Sequence, residues 1–177
     1  SLADEVVRVE EELRRQARFD TLTGLLNRPE ALSLLDAVVH DRRDPGPQTA
    51  LLYCDLDDFK HINDSLGHTA GDDVLRALAE RITAAVRQVD SVARIGGDEL
   101  LVVLPGLHAL EEAIAIAERV RQATRAPITT GEGRVVTTLS VGVTMLRPDE
   151  YPDDAIARAD RAMYEAKAAG GDRICAG

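Results

Sequence analysis

Arg94-Ile95-Gly96-Gly97-Asp98-Glu99-Leu100 is the stretch best suited to chemistry. An apolar and β-branched run precedes it (Val89, Val92, Ile95), and Leu100-Leu101-Val102-Val103-Leu104 follows. Two strand-like runs separated by Gly-Gly and an acid predict a β-hairpin, because glycine reaches the positive-φ conformations of a tight turn. The turn presents Asp98 and Glu99 beside backbone without side chains, a place to hold a metal and let a ligand approach the main chain. Asp55 closes the apolar run Thr49 to Leu56, and Asp57 and Asp58 crowd the same loop. Such repulsion calls for a cation or solvent. If the strand ending at Asp55 lies beside the hairpin, Asp55, Asp98 and Glu99 converge. Three hard oxygen donors with water and a phosphate suit Mg²⁺, and two metals there would activate a hydroxyl and stabilise phosphoryl transfer.

Phe59-Lys60-His61-Ile62-Asn63-Asp64 continues from Asp55 into a turn and helix. The N–H groups of that turn, with Lys60, would cradle the outer phosphates of a triphosphate. Asn63 and Asp72 are spaced to meet across the Gly67-His68-Thr69-Ala70-Gly71 loop. An amide and a carboxylate together match a guanine edge. Equally, Asp72 caps the following helix and Asn63 closes a turn.

The elements that must position these residues follow from periodicity. Ser1 to about Arg18 reads as a charged helix with a two-heptad seam of Leu2, Val6, Val9 and Leu13, either a coiled coil or a simple amphipathic lead-in. Its start within a helix at Ser1 suggests a longer protein. Thr23 or Asn27 would cap a helix from about Pro29 to His40, and Asp44-Pro45-Gly46-Pro47 is a loop. Thr49 to Leu56 is apolar nearly throughout, as a central strand covered by helices would be. Asp72 to Val86 is an amphipathic helix, and a second runs from Leu110 to about Thr124. Gly131-Glu132-Gly133 is a turn, Val135 to Met145 a strand or hairpin arm, Asp153 to Ala169 the last helix, and Arg173-Ile174-Cys175 a closing strand. Within this order lies a ferredoxin-like βαββαβ core of α+β class, an antiparallel-centred sheet with helices on one face.

The 177 residues suit one globular domain, 19–177, after an N-terminal helix, 1–18. A net charge of −10 argues against nucleic acid or an anionic membrane as partner, though bound cations can reverse the local sign for a phosphate ligand. Cys54 and Cys175 lie far apart, and Cys54 in its apolar strand reads as a buried free thiol. With neither a transmembrane-length run nor a signal peptide, the expectation is a cytoplasmic domain, or the cytoplasmic part of a larger protein.

Five motifs stand in order: Asp55-Leu56-Asp57-x-Phe59-Lys60-x-Ile62-Asn63-Asp64, Gly67-His68-x-x-Gly71-Asp72, Arg94-x-Gly96-Gly97-Asp98-Glu99, Leu139-Ser140-Val141-Gly142-Val143 and Ala159-Asp160-x-Ala162-Met163-Tyr164-x-Ala166-Lys167. Asp20-x-Leu22-Thr23-Gly24-Leu25-x-Asn27-Arg28 precedes them. From about Phe19 to Ile174 the chain closely resembles a GGDEF domain, the catalytic domain of diguanylate cyclases. The resemblance implies a fold like that of nucleotidyl cyclase and polymerase palms, and condensation of two GTP into cyclic di-GMP with release of pyrophosphate between two domains facing each other about a two-fold axis. By matching position, Asp55, the Leu56 carbonyl, Asp98 and Glu99 would serve Mg²⁺ or Mn²⁺ and activate the 3′-hydroxyl. Asn63 and Asp72 would read guanine, Lys60 and Lys167 would bind phosphates, and Phe59, Gly96 and Gly97 would line the substrate site. Arg87-Gln88-Val89-Asp90 resembles the family's inhibitory product site. Arg119 or Arg121 would complete it from the next helix.

The chain departs from the family pattern in three places. Leu100 stands where phenylalanine is usual, and Pro29 where a second arginine is common. Gly171 replaces the usual phosphate-binding arginine, with Arg173 a shifted substitute. The implied partners are GTP, cyclic di-GMP, a second copy joined through the N-terminal helix, and an upstream sensor. The alternative is a catalytically weak domain that acts as a cyclic di-GMP or GTP receptor.

Overall fold

The computed structural model describes residues 1–40 and 46–177. Asp44 and Pro45 of the expected loop lie outside the described residues. The elements are α1 (Leu2–Arg18), α2 (Arg28–His40), β1 (Gln48–Leu56), α3 (Phe59–Leu66), α4 (His68–Ala85), β2 (Ser91–Arg94), β3 (Glu99–Leu107), α5 (Leu110–Thr124), β4 (Ile128–Thr130), β5 (Gly133–Val135), β6 (Leu139–Met145), α6 (Pro152–Ala168) and β7 (Arg173–Ala176).

Five strands form one sheet in the order β2-β3-β1-β6-β7. All pairings are antiparallel except β6 with β7. The first four strands give the strand order of a βαββαβ core, with β7 added at the edge. β1 is central, and its unbroken apolar run fills both faces. Leu52, Cys54 and Leu56 pack with Val74, Leu78 and Ile82 of α4 and Val120 of α5. Leu51 and Tyr53 pack with Leu35 of α2 and with Ala155, Ala159 and Met163 of α6. Helices therefore cover both faces, where one face was expected. The added α2 and α6 account for the difference.

Three boundaries also differ. Gly67, at φ 89°, ends α3, and α4 begins at once at His68, so a helix–helix corner replaces the expected loop. The stretch from Val135 to Met145 is not one strand. Residues 136–138 leave the ladder because the Thr138 carbonyl accepts from the Asp57 amide at 3.0 Å and its hydroxyl donates to the Asp57 carboxylate at 2.6 Å. Asn27, rather than Thr23, caps α2, its side chain accepting from the Glu30 amide at 3.0 Å.

α6 is pressed onto β6 at Gly142, where a Cβ would stand 2.0 Å from the Ala159 carbonyl oxygen and 2.4 Å from the Met163 nitrogen. The glycine lets the helix backbone touch the strand and fixes the height of Lys167 above the sheet. α1 buries none of its residues. Its seam residues Leu2, Val6, Val9 and Leu13 are between 50% and 79% exposed, so none of the described residues buries them.

Candidate active site

The β1–β3 register places Asp55 directly opposite Glu99 on neighbouring strands. Both follow the odd-numbered face of β1 and β3 that Tyr53 and Leu101 share beneath α6. Asp98 sits beside them in the turn, and Glu99 folds its carboxylate over Gly96, where a Cβ would meet Oε2 at 2.4 Å. Lys167, near the end of α6, donates from Nζ to Asp55 Oδ1 at 2.7 Å and to the Leu56 carbonyl at 2.9 Å, with Asp57 Oδ1 at 3.7 Å. Burial pushes the Asp55 carboxyl up to about 6; the Lys167 hydrogen bond opposes this, and the charges of Asp98 and Glu99 add to it.

Among the described residues, no three acidic, histidine or cysteine side chains converge into a preformed metal cage. The donor chemistry nevertheless fits a hard divalent cation. The Lys167 ammonium is held by two of the oxygens assigned to the metal, Asp55 Oδ1 and the Leu56 carbonyl, which marks the place as one that attracts positive charge. The crowded carboxylates beside it are what such a cation would relieve.

On the other side of the β1 end, Asn63 of α3 lies against α4. A Cβ at Gly71 would fall 1.9 Å from Asn63 Oδ1 and 3.3 Å from Phe59 Cζ, so Gly71 makes room for both. Asp72 is the next residue. It lies inside α4 rather than at its start, which removes the capping alternative. Asp58 takes a left-handed conformation at φ 58° and delivers the chain into α3, whose first turn holds Phe59 and the exposed Lys60.

Two residues to which sequence reasoning gave no role brace the turn. Arg94 donates from Nε and Nη2 to the Gly97 carbonyl at 3.1 and 2.9 Å, and from Nε to the Gly96 carbonyl at 3.2 Å. Its Nη1 meets both Asp20 carboxylate oxygens at 3.2 Å, and Asp20 accepts from the Thr23 amide and hydroxyl at 2.8 and 2.7 Å. The signal was present in the motif flanks, but a salt bridge spanning 74 residues is invisible to spacing. Tyr53 was likewise not singled out. It is buried one pleat below Asp55, and burial, then the charge of Glu99, pushes its hydroxyl well above the usual range.

Arg87 and Asp90 close on each other. The Arg87 amide donates to Asp90 Oδ2 at 2.7 Å, and Nη2 donates to Asp90 Oδ1 at 2.6 Å and to the Pro105 carbonyl at 2.8 Å. The Asp90 side chain is 0% exposed. Arg119 donates to the Ala85 carbonyl, two residues before Arg87. Arg121 is committed elsewhere, to Glu118 and to Asp172. Arg119 is thus the helix arginine on the Arg87 side. Both Arg87 and Asp90 also edge an open groove of about 910 Å³ between α4, β2 and the segment from Phe19 to Leu26, away from the acids. Across the chain, Arg173 lies beyond the Gly170–Asp172 turn and folds back, Nε donating to the Gly171 carbonyl at 3.1 Å.

Comparison with known proteins agrees with this geometry. The family model described as "Diguanylate cyclase, GGDEF domain" matches residues 17–173. The chain is 39% identical over 165 residues to diguanylate cyclase DgcP of Pseudomonas aeruginosa, covering 93% of this chain and 24% of that protein. It thus spans about a quarter of that relative's length. The solved structure of diguanylate cyclase SiaD with its activator SiaC, from the same organism, superposes with a TM-score of 0.87 at 33% identity, over 99% of this chain and 68% of that one. The coiled coil and GGDEF domain of DgcB from Caulobacter crescentus, in complex with c-di-GMP, gives 0.87 at 30% identity, over 99% and 97%. The chain belongs to the GGDEF family of diguanylate cyclase domains.

Proposed function

We propose that the chain condenses two GTP into cyclic di-GMP and pyrophosphate, one GTP on each of two domains facing about a two-fold axis. The observation that carries this reading is Asp55 placed opposite Glu99 on adjacent strands, with Asp98 in the Gly-Gly turn and Lys167 beside them. Asn63 and Asp72 read the guanine edge, above the side of Phe59. Lys60 and Lys167 bind the phosphates, with Arg173 as a third cation. Gly96 and Gly97 let the nucleotide approach the backbone. Asp55, the Leu56 carbonyl, Asp98 and Glu99 are the oxygens to hold Mg²⁺ or Mn²⁺, which when bound neutralises phosphate charge and acidifies a hydroxyl. Glu99 and Asp98 serve the 3′-hydroxyl of one GTP as it attacks the α-phosphorus of the other. Each attack forms one P–O bond, breaks the bond to pyrophosphate and releases a proton. Two attacks close the ring.

Arg87, Asp90 and Arg119 form the inhibitory product site in this reading, guanidinium to phosphate or guanine and carboxylate to guanine N–H. Dimerisation proceeds through α1, and an upstream sensor sets the alignment of the two helices. The competing reading is a cyclic di-GMP or GTP receptor of weak activity, favoured by Gly171 at the usual arginine position. Incubation with GTP and Mg²⁺, with products resolved by chromatography, separates the two. Cyclic di-GMP is expected from the wild type, with loss of roughly 10²–10⁴-fold in Glu99→Gln. Absence of product from an enforced dimer that still binds cyclic di-GMP would establish the receptor instead.

A further inference from the structure

Asp57 stands two residues beyond Asp55, and both of its carboxylate oxygens are held by neighbours, with Oδ1 3.7 Å from Lys167 Nζ. Oδ2 accepts from the Thr138 hydroxyl at 2.6 Å and from the Asp172 amide at 2.8 Å, and Oδ1 accepts from the Ser140 hydroxyl at 2.7 Å. One carboxylate thus joins the end of β1 to the start of β6 and to the turn between α6 and β7. That turn is unusual. Gly170, Gly171 and Asp172 are all left-handed, at φ 115°, 72° and 48°. Successive residues hold such a conformation only where the surroundings over-determine it.

Here they do. The Gly170 and Gly171 amides donate to the Lys167 and Ala166 carbonyls, each at 3.0 Å. The Asp172 amide goes to Asp57, and Arg121 grips Asp172 from outside at Oδ1, 2.5 Å away. Arg121 is itself clamped by Glu118 at 2.6 Å. Gly171 packs so closely on Asp57 that a Cβ there would lie 3.0 Å from all three atoms of the carboxylate group. The turn therefore ends α6 just after Lys167 and sends the chain back so that Arg173 reaches over it, its Nη2 3.4 Å from where a Gly170 Cβ would be.

We infer that Asp57 is a positioning residue: it locks the Gly170–Asp172 turn, and through it sets Lys167 and Arg173 as a pair of cations for the outer phosphates of the nucleotide. Arg173 thereby takes up in space the duty that Gly171 cannot perform. In this inference Asp57 acts through the clamp, which engages both of its oxygens, rather than as a metal ligand. This inference rests on the GTP reading above.

The test compares wild type, Asp57→Asn, Arg173→Ala and the double variant in steady-state assays with GTP and in calorimetric binding of GTP and GMP. The amide of Asp57→Asn keeps the volume but cannot accept from both hydroxyls and the Asp172 amide together. The expected result is a KM for GTP raised roughly five- to twentyfold with turnover nearly unchanged, GMP affinity unaffected, and the same Mg²⁺ concentration for half-activation. Arg173→Ala should repeat that pattern, and the double variant should cost little more than either alone, because both act on one contact. A wild-type KM in Asp57→Asn, or equal losses for GTP and GMP, overturns the inference. So does an increased Mg²⁺ requirement, which would make Asp57 a ligand. A wild type that neither binds nor turns over GTP would instead refute the functional reading, a separable outcome.

Discussion

At the scale of single residues, the site is a matter of which side chains are spent on one another. Gly71 illustrates the economy on the side proposed for the nucleotide base. Its missing Cβ is the space that Asn63 Oδ1 fills at 1.9 Å. Gly71→Ala should leave the fold intact, because alanine suits a helix interior better than glycine and the displaced atom ends a flexible side chain. It should rotate Asn63 away from the base and weaken guanine nucleotide binding by about tenfold, read by calorimetry beside an unchanged melting temperature. Of the residues named from the sequence, Asp55, Glu99 and Lys167 meet at the end of β1, with Asp98 in the adjoining turn, while Asn63 lies against Gly71 of α4. What the sequence hid was pairing over distance: Arg94 with Asp20, and Asp57 with the Asp172 amide. Such pairs depend on three-dimensional closure, and neither periodicity nor spacing encodes them.

At the scale of elements, the strands were the most legible part. The apolar run before Asp55 announced a central strand, and the structure packs both of its faces. Less legible were the corner at Gly67, where one helix ends and the next begins without a linker, and the exit of residues 136–138 toward Asp57. Both depend on contacts with other elements rather than on local pattern. The link between β6 and α6 is held by a buried pair: Glu150 bonds Arg158 at 2.7 Å, and Arg158 also ties down the Met145 carbonyl at 2.7 Å. Burial pushes the Glu150 carboxyl up, but the Arg158 hydrogen bond and the Arg147 amide outweigh it and hold the carboxyl below the usual range. A carboxyl lowered on folding gives stability that is complete above its ordinary value and lost as pH falls through the folded value. Urea midpoints should therefore drop on acidification below about pH 4.5. Glu150→Gln should be less stable at neutral pH and show a shallower acid slope. Identical slopes would mean the pair carries none of the acid sensitivity.

At the scale of the whole molecule, the globular part buries its apolar residues on both faces of one sheet, while α1 leaves its stripe open to solvent. No helix among the described residues is long and apolar enough to cross a membrane. A two-heptad stripe is marginal as a coiled coil on its own. Removal of residues 1–18 should therefore leave GTP binding per domain unchanged. Product formation should then fall steeply on dilution, with specific activity at low micromolar concentration reduced by about tenfold or more. Equal activity of the two forms at low concentration would remove α1 from the assembly.

The closed Arg87–Asp90 pair carries one more consequence. Any ligand that engages Arg87 competes with a carboxylate tethered three residues away, which is always present at high effective concentration. If product binds there, the pair raises the concentration at which it does so. If product acts there, the domain is a thermostat with a raised set-point rather than a sponge, and the strength of one internal ion pair fixes how far the signal climbs before it shuts off its own supply.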